Sequence, residues 1–465
     1  MKPLRPWQVD CIDSAVSAFQ HKNHFLCHAT PGAGKTFMVA KLAETLLQQE
    51  KIDLVFCFSP SRAVAQGMAA TFSEVLGKRF DGRIGAAGAS FTYQSMNTLP
   101  PQLWRLLDEY RVLAVLDEIH HCSGFTDGFV TIGNSWGRDI LNKIQDKARY
   151  TMALSGTPWR TDDTPIVLSR YIEGGTKIQY DYQYGLGAAI TDGVCRRPKV
   201  VLTDNREIRF WSPDIGSKKF TSLQDSLSSG SINYQDFLFK NDIVDHIIVE
   251  ASAKLKEIRT ITPDAGGLVV AASVKHAFQI AGRFALVGET YTVVTHQTPE
   301  AQSVITNFAR SSTQWIISVG MISEGTDIPR LHVCCHLSQI RTELHFRQVL
   351  GRILRTRENE PRQANGWLYV LAEPSLELFA RRIGEELPGE NVVSYSPKKH
   401  SHGNKRSDDG KSERPATLGL DWNADQSFTA KENSKAVAHP PPLSSELSLS
   451  DQYWQEVVSL FDTFT

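Results

Sequence analysis

The chain has 465 residues, 41% hydrophobic and 22% charged, with a formal net charge of −1. That length suits two ordinary domains, and the near-neutral balance argues against a molecule whose whole surface attracts polyanions, leaving that task to a local groove. No apolar run approaches the roughly 20 residues of a membrane span, the opening MKPLRPWQVD lacks the apolar core of a secretion signal, and the 7 scattered cysteines without a C-x-x-C argue against a disulfide framework or a structural zinc, so a cytoplasmic chain is expected.

In chain order, residues 24–154 alternate short apolar runs with helical patterns. HFLCHA runs into a glycine-rich loop, and TFMVAKLAETLLQQ follows with helical spacing. DLVFCFS reads as a buried strand and RAVAQGMAATFSEVL as a helix; RVLAVLDE and YTMALSG are further strands. Runs this apolar, separated by helices, predict a parallel sheet covered on both sides.

The rhythm breaks near 160–200, where TDDTP is a turn cluster. A strand is expected at about 198–203, and the polar residues 201–235 read as a connector or insertion. A second alternation follows. DIVDHIIVEASAKLKEI, VKHAFQIAGRFAL and PEAQSVITNFAR are helices; GGLVVAAS, TYTVVTH, QWIISVG, HVCCHLS and GWLYVLA are strands. The fold class expected is α/β, with a first lobe over 1–200 and a second over 236–387. Residues 388–450 are charged or proline-rich and read as disordered linker. Residues 451–465 recover helical spacing through Trp454, Val457, Val458 and Phe461, as an amphipathic helix that either folds back on its own body or docks onto a protein partner.

Two segments carry chemistry. Ala29, Thr30, Pro31, Gly32, Ala33, Gly34, Lys35 and Thr36 fit the small-x-x-x-x-G-K-[ST] pattern between a strand and a helix. In that context glycines bring backbone N–H groups close to phosphate oxygens, Lys35 is a point charge for the β- and γ-phosphates, and Thr36 offers a hydroxyl to Mg2+. An apolar strand then delivers Asp117, able to hold Mg2+, and Glu118, able to polarise an attacking water. Together they point to hydrolysis of ATP. HHC at 120–122 lacks a second ligand cluster and is not read as a metal site.

From Leu4 to about Leu371 the motifs resemble the superfamily 2 helicases and translocases of the DExH group. LRPWQ (4–8) is similar to the adenine-side motif, ATPGAGKT to motif I, PSRAVAQ (60–66) to Ia, DEIH (117–120) to II and SGT (155–157) to III. GLVVAAS (267–273) is similar to motif IV, SEGTDIP (323–329) to V and QVLGRILR (348–355) to VI. The passage YGLGAAITDGVCRRPKVV looks like the interlobe linker of bacterial and phage proteins related to the motor subunits of type III restriction enzymes. The resemblance implies two tandem RecA-like lobes of the P-loop NTPase fold, hydrolysing ATP with Mg2+ in the cleft between them. It implies Arg5 and Gln8 on the nucleotide, Gly325 and Asp327 near its ribose, and Gln348, Arg352 and Arg355 reaching the γ-phosphate from the second lobe. It further implies His120, Ser155 and Thr157 as coupling residues, and Pro60, Ser61, Arg62, Thr92, Gln94 and Ser273 on nucleic acid. Val319-Gly320 replaces the threonine that often opens motif V, and no accessory domain is evident. The reading is an ATP-dependent nucleic-acid helicase or translocase without a membrane role, DNA favoured over RNA by the linker. The alternative is an ATPase subunit of a defence, restriction or repair complex controlled by a protein partner through 451–465.

Overall fold

Each apolar run of the first half becomes a strand whose C-terminal end opens into a functional loop. The computed structural model describes residues 3–127, 130–157, 164–172, 177–322, 326–357, 360, 364–383 and 445–459, with backbone only at 126–127, 130–132, 172 and 177. Helix α1 (Pro6–Ala18) precedes β1 (His24–Ala29), α2 (Lys35–Gln48), β2 (Leu54–Ser59), α3 (Arg62–Leu76), β3 (Gly88–Thr92), α4 (Pro101–Glu109) and β4 (Val112–Leu116). A hairpin, β5 (Gly124–Asp127) and β6 (Val130–Gly133), leads to α5 (Ser135–Lys143) and β7 (Tyr150–Ser155). A second hairpin, β8 (Arg170–Ile172) and β9 (Lys177–Gln179), precedes β10 (Tyr182–Tyr184). The first sheet has the order β10-β1-β7-β4-β2-β3, and every pairing in it is parallel. Every residue of β4 and β7 is buried, as strands covered on both faces require.

The second lobe starts with α6 (Leu186–Thr191) as its tether, then β11 (Arg197–Asn205), β12 (Ile208–Ser212), β13 (Gly216–Phe220), α7 (Leu223–Ser228), α8 (Tyr234–Leu238) and α9 (Asn241–Arg259). It continues through β14 (Gly266–Ala271), α10 (Val274–Leu286), β15 (Tyr291–Val294), α11 (Ala301–Arg310), β16 (Trp315–Ser318), β17 (Leu331–Leu337), α12 (Glu343–Ile353), β18 (Asn365–Leu371) and α13 (Pro374–Arg382). Strands β19 (Glu446–Leu449) and β20 (Tyr453–Ser459) close the described chain. Its main sheet runs β15-β16-β14-β17-β18-β11-β20, parallel except for the last strand. The chain therefore consists of two RecA-like parallel-sheet lobes, as the alternation of runs and helices leads one to expect.

Three boundaries differ from the sequence reading. The first lobe cannot extend to residue 200, because β11 begins at Arg197 and pairs with β18 of the second sheet. The supposed connector at 201–235 is the rest of β11 with β12, β13, α7 and the first two residues of α8. The pattern is easy to miss because only β12 alternates, with Arg209 and Trp211 exposed between buried residues, while β13 exposes Ser217, Lys218 and Lys219 in a row and buries Phe220 alone. The expected terminal helix is instead the strand β20, and β19 occupies residues that were read as linker. Trp454, Val457 and Val458 do fit helical spacing. However, β11 presents an unpaired edge, and β20 satisfies it with Val458 opposite Val200 and Val457 opposite Val201. Tyr453 stacks on His246 at 4.1 Å, Glu456 accepts from Arg381 at 2.8 Å, and Asn205 donates to the Ser450 carbonyl at 2.7 Å. Most of the segment read as linker, 388–444, and the last residues, 460–465, lie outside the described residues.

A buried charge pins the entry to β11 within the second lobe. Arg196 donates to the carbonyls of Leu331 (2.5 Å), Ile353 (2.9 Å) and Pro329 (2.8 Å) and to Glu360 Oε1 (2.8 Å). His332 Nε2 lies 2.5 Å from the same Glu360 oxygen. Burial pushes the Glu360 carboxyl up, but the hydrogen bond with His332 and the charge of Arg196 outweigh it and hold the group at about 2. Removing Arg196 strands a buried carboxylate, so Arg196→Ala is expected to cost about 3–5 kcal/mol in urea unfolding. Because the folded Glu360 value is depressed, its stabilisation is complete above the ordinary carboxylate value of about 4.3. It is lost as pH falls from there towards about 2. A Glu360→Gln protein with the same acid unfolding curve as wild type would contradict this assignment.

Candidate nucleotide site between the lobes

The loop after β1 is built to expose backbone donors. Gly32 and Gly34 have φ of 85° and 95°, in the left-handed region that favours glycine. Gly34 caps α2, so Lys35 and Thr36 start the helix and its first-turn amides lack partners within it. A Cβ on Gly34 would stand 2.9 Å from Gln8 Nε2. Gln8 is buried and donates to the Gly34 carbonyl at 3.0 Å while accepting from the Arg5 amide at 2.9 Å; Arg5 donates to the Ala33 carbonyl at 2.8 Å. Helix α1 thus braces the loop through both residues, and Trp7 stacks on Tyr184 of β10 at 4.8 Å. Thr30 donates its amide to the Tyr184 carbonyl at 3.0 Å.

Across the loop lie the two carboxylates at the end of β4. Asp117 is buried, its amide donates to the Phe58 carbonyl at 2.9 Å, and its carbonyl accepts from the Tyr93 hydroxyl at 2.8 Å. Glu118 has φ of 49°, a conformation rare for a side-chain-bearing residue and typical of functional turns. That turn aims the carboxylate back at Lys35, whose Nζ is 3.6 Å from Oε1 and also donates to the Ala29 carbonyl at 3.1 Å. The end of β7 meets the same carboxylate: the Gly156 amide donates to Glu118 Oε2 at 3.3 Å. His120 Nδ1 stands 3.5 Å from Oε2 and 2.9 Å from Ser155 Oγ, which also accepts from the Thr157 amide at 3.2 Å. Burial would raise the Glu118 carboxyl; the Lys35 charge, the His120 charge and the Gly156 amide overcome it and hold it at about 2. His28, on β1 behind the loop, is lowered to about 4 by burial and by the Lys35 charge. Neither residue's environment was legible from sequence, since both depend on the β1–β7 register that sets His28 opposite Ser155.

The second lobe closes the site. Thr342 caps α12 by accepting from the His345 amide at 3.3 Å, and the helix runs towards the loop. A Cβ on Gly351 would lie 2.9 Å from Pro31 Cβ, so only glycine allows this approach. Arg355 lies against Gly32: its Cγ is 3.0 Å from where a Cβ there would sit. The guanidinium groups of Arg352 and Arg355 converge on the Thr326 carbonyl, at 2.7 and 2.6 Å, and Arg355 also pairs with Asp327. Gln348 is half-buried on the same helix. Cys195 pairs with Arg355 in a short backbone bridge and lies 3.7 Å from the Pro31 carbonyl, joining linker, loop and α12. Gly325 lies outside the described residues. Thus Lys35 and Glu118 meet beside the loop of the first lobe, α12 and its end bring Gly351 and Arg355 against that loop, and Arg5 and Gln8 brace it from behind.

The candidate nucleic-acid residues gather at the C-terminal ends of β2, β3 and β14. Pro60 and Ser61 precede α3, Ser61 caps it by accepting from the Val64 amide at 3.3 Å, and Arg62 is exposed. Thr92 accepts from the Ser95 amide at 3.2 Å, and Gln94 is exposed. Ser273 caps α10 by accepting from the His276 amide at 3.1 Å. The three hydroxyls are thus capping groups, and the exposed side chains in these clusters are Arg62 and Gln94. No group of metal-binding side chains of the His, Cys or acidic kind occurs among the described residues, and none of their helices is long and apolar enough to cross a membrane.

A two-lobed P-loop nucleotide-binding protein is the class this fold and site define. The comparisons narrow it: residues 1–160 match the family model described as the type III restriction enzyme, res subunit. An uncharacterized protein of Mycobacterium leprae is 31% identical over 372 residues, which cover 77% of this chain and 60% of that protein. A DNA 3'-5' translocase of Sulfurisphaera tokodaii is 24% identical over 395 residues, covering 77% of this chain and 80% of the translocase. The chain spans about 60% of the length of the mycobacterial relatives it matches. Among solved structures, a fragment of the HsdR subunit of a type I restriction enzyme from Vibrio vulnificus superposes with a TM-score of 0.52 at 17% identity, covering 81% of this chain and 65% of that one. The chain is therefore similar to superfamily 2 helicase-like motors, and its first lobe to the res subunits of restriction enzymes.

Proposed function

We propose that the chain is an ATP-dependent nucleic-acid translocase or helicase that hydrolyses ATP between its lobes and acts on DNA in preference to RNA. The observation that carries this reading is the meeting of α12 with the phosphate loop, Gly351 on Pro31 and Arg355 on Gly32, opposite the Lys35–Glu118 pair. The left-handed turns at Gly32 and Gly34 and the free first-turn amides of α2 suit a triphosphate. Thr36 and Asp117 would hold Mg2+, which when bound neutralises phosphate charge. Lys35 exchanges Glu118 for phosphate oxygens. Glu118 then loses its nearest cation, its proton affinity rises, and it can orient and polarise water. Arg355 and Arg352 exchange the Thr326 carbonyl for the charge that shifts in the transition state, so hydrolysis requires both lobes. His120 and Ser155 tie Glu118 to the end of β7, so a change at the carboxylate moves the backbone at Gly156–Thr157. Repeated closing and opening then becomes stepping along a phosphate backbone.

The DNA preference draws on the matched DNA translocase and on the restriction-enzyme likeness. The partner-controlled subunit reading gains nothing from residues 453–459, whose backbone is committed to β11. The test is ATPase rate against single-stranded DNA, duplex DNA, forked DNA and RNA at fixed salt. Stimulation by at least one DNA form, greater than by RNA, is expected. Equal rates with and without every nucleic acid would remove the motor reading.

A further inference from the structure

The structure links one half-buried indole to the backbone of Asp117 and, through two histidines, to the carboxylate of Glu118. Trp136 sits in the first turn of α5 and stacks on Tyr93, ring centroids 5.7 Å apart. Tyr93 is fully buried, lies between Thr92 and Gln94, and donates its hydroxyl to the Asp117 carbonyl at 2.8 Å. The Trp136 and His121 ring centroids are 6.4 Å apart with the planes at 64°, and His121 lies against His120 at 4.4 Å, the residue beside Glu118 and Ser155. The start of α5 is clamped in place. Asn134 accepts from the Ser123 and Gly137 amides at 3.2 and 2.8 Å and donates to the His121 carbonyl at 2.7 Å.

Trp136 remains partly exposed at the rim where Gln94 and Arg138 face solvent. An aromatic face at the edge of a phosphate-gripping surface is the usual means of holding an unpaired base without reading its identity. We propose that Trp136 stacks on an unpaired nucleobase of the bound strand. By this contact, passed through Tyr93 to Asp117 and through His121–His120 to Glu118, it reports strand occupancy to the hydrolysis site. The proposal rests on the motor reading above and adds the single strand's bases, rather than its phosphates alone, as the signal.

The test uses the full chain and two fluorescent single-stranded DNA oligonucleotides of equal length, one with bases and one with abasic sites along its centre. Anisotropy gives binding, and phosphate release gives stimulation. Wild type is expected to bind the base-bearing strand about tenfold or more tightly, in line with one stacked base, and to be stimulated more by it. Trp136→Ala is expected to lose that preference while still binding the abasic strand as wild type does; Trp136→Phe retains most of the preference. A wild type without base preference overturns the proposal, as does a Trp136→Ala protein that keeps the preference. Equal weakening towards both strands marks a merely structural indole and overturns it too. If neither strand binds or stimulates wild type, the motor reading itself fails, which separates the two ideas.

Discussion

Glu118→Gln is expected to lower kcat for ATP hydrolysis by about two to four orders of magnitude while ATP still binds. The substitution preserves size and can still accept from the Gly156 amide, now 3.3 Å from Oε2. What it removes is the anion. In the resting arrangement that anion is neutralised by Lys35 at 3.6 Å and held at about 2, too weak a base to assist water. Its usefulness depends on Lys35 leaving for phosphate, and a neutral amide cannot gain basicity when the lysine departs. Because the resting carboxyl titrates so low, Glu118 stays ionised throughout the ordinary working range, so it supplies no acidic limb near neutral pH before nucleotide binds. The measurement is phosphate release alongside equilibrium binding of labelled ATP. Near-wild-type turnover would assign the water-activating role elsewhere.

Arg355→Ala is expected to reduce kcat by about three orders of magnitude with a much smaller change in KM. The arginine belongs to the second lobe through α12 and the linker bridge to Cys195, yet its stem rests on Gly32 of the first. Its guanidinium is now held by the Thr326 carbonyl and Asp327, two acceptors that keep it near the loop until stronger negative charge competes. An interaction made chiefly in the transition state lowers kcat rather than raising KM. Arg355→Lys should recover little, because a lysine lacks the planar fork that can serve two acceptors at once. Steady-state kinetics of the two variants decide the matter; a loss confined to KM would make Arg355 a ground-state binding residue.

Much of this was legible in the sequence because the features are local. The loop from Ala29 to Thr36 needs only a strand, two glycines and a helix start. The β4 run VLAVL must end where Asp117 and Glu118 begin. What escaped depends on distant partners. Residues 453–459 have helical spacing and become a strand because β11, some 250 residues earlier, lacks a neighbour on that side. Arg196 reads as one of two arginines in a polar linker, and only the fold surrounds it with three carbonyls and Glu360. Gln8 is expected on the nucleotide; its side chain also engages Arg5 and Gly34, a bracing contact that no spacing rule reveals. Nothing local marks Trp136, because its relation to Tyr93 and His121 follows from a hairpin between β4 and α5, not from any periodicity.

The central claim is that one triphosphate is held by lysine from the first lobe and arginine from the second. A crystal structure of the Glu118→Gln protein with ATP and Mg2+ tests it most directly. The expected result is a γ-phosphate within hydrogen-bonding distance of Lys35 Nζ and of a guanidinium from Arg352 or Arg355, with the Thr326 carbonyl released. A nucleotide held by the first lobe alone, with both arginines still on Thr326, would contradict the account.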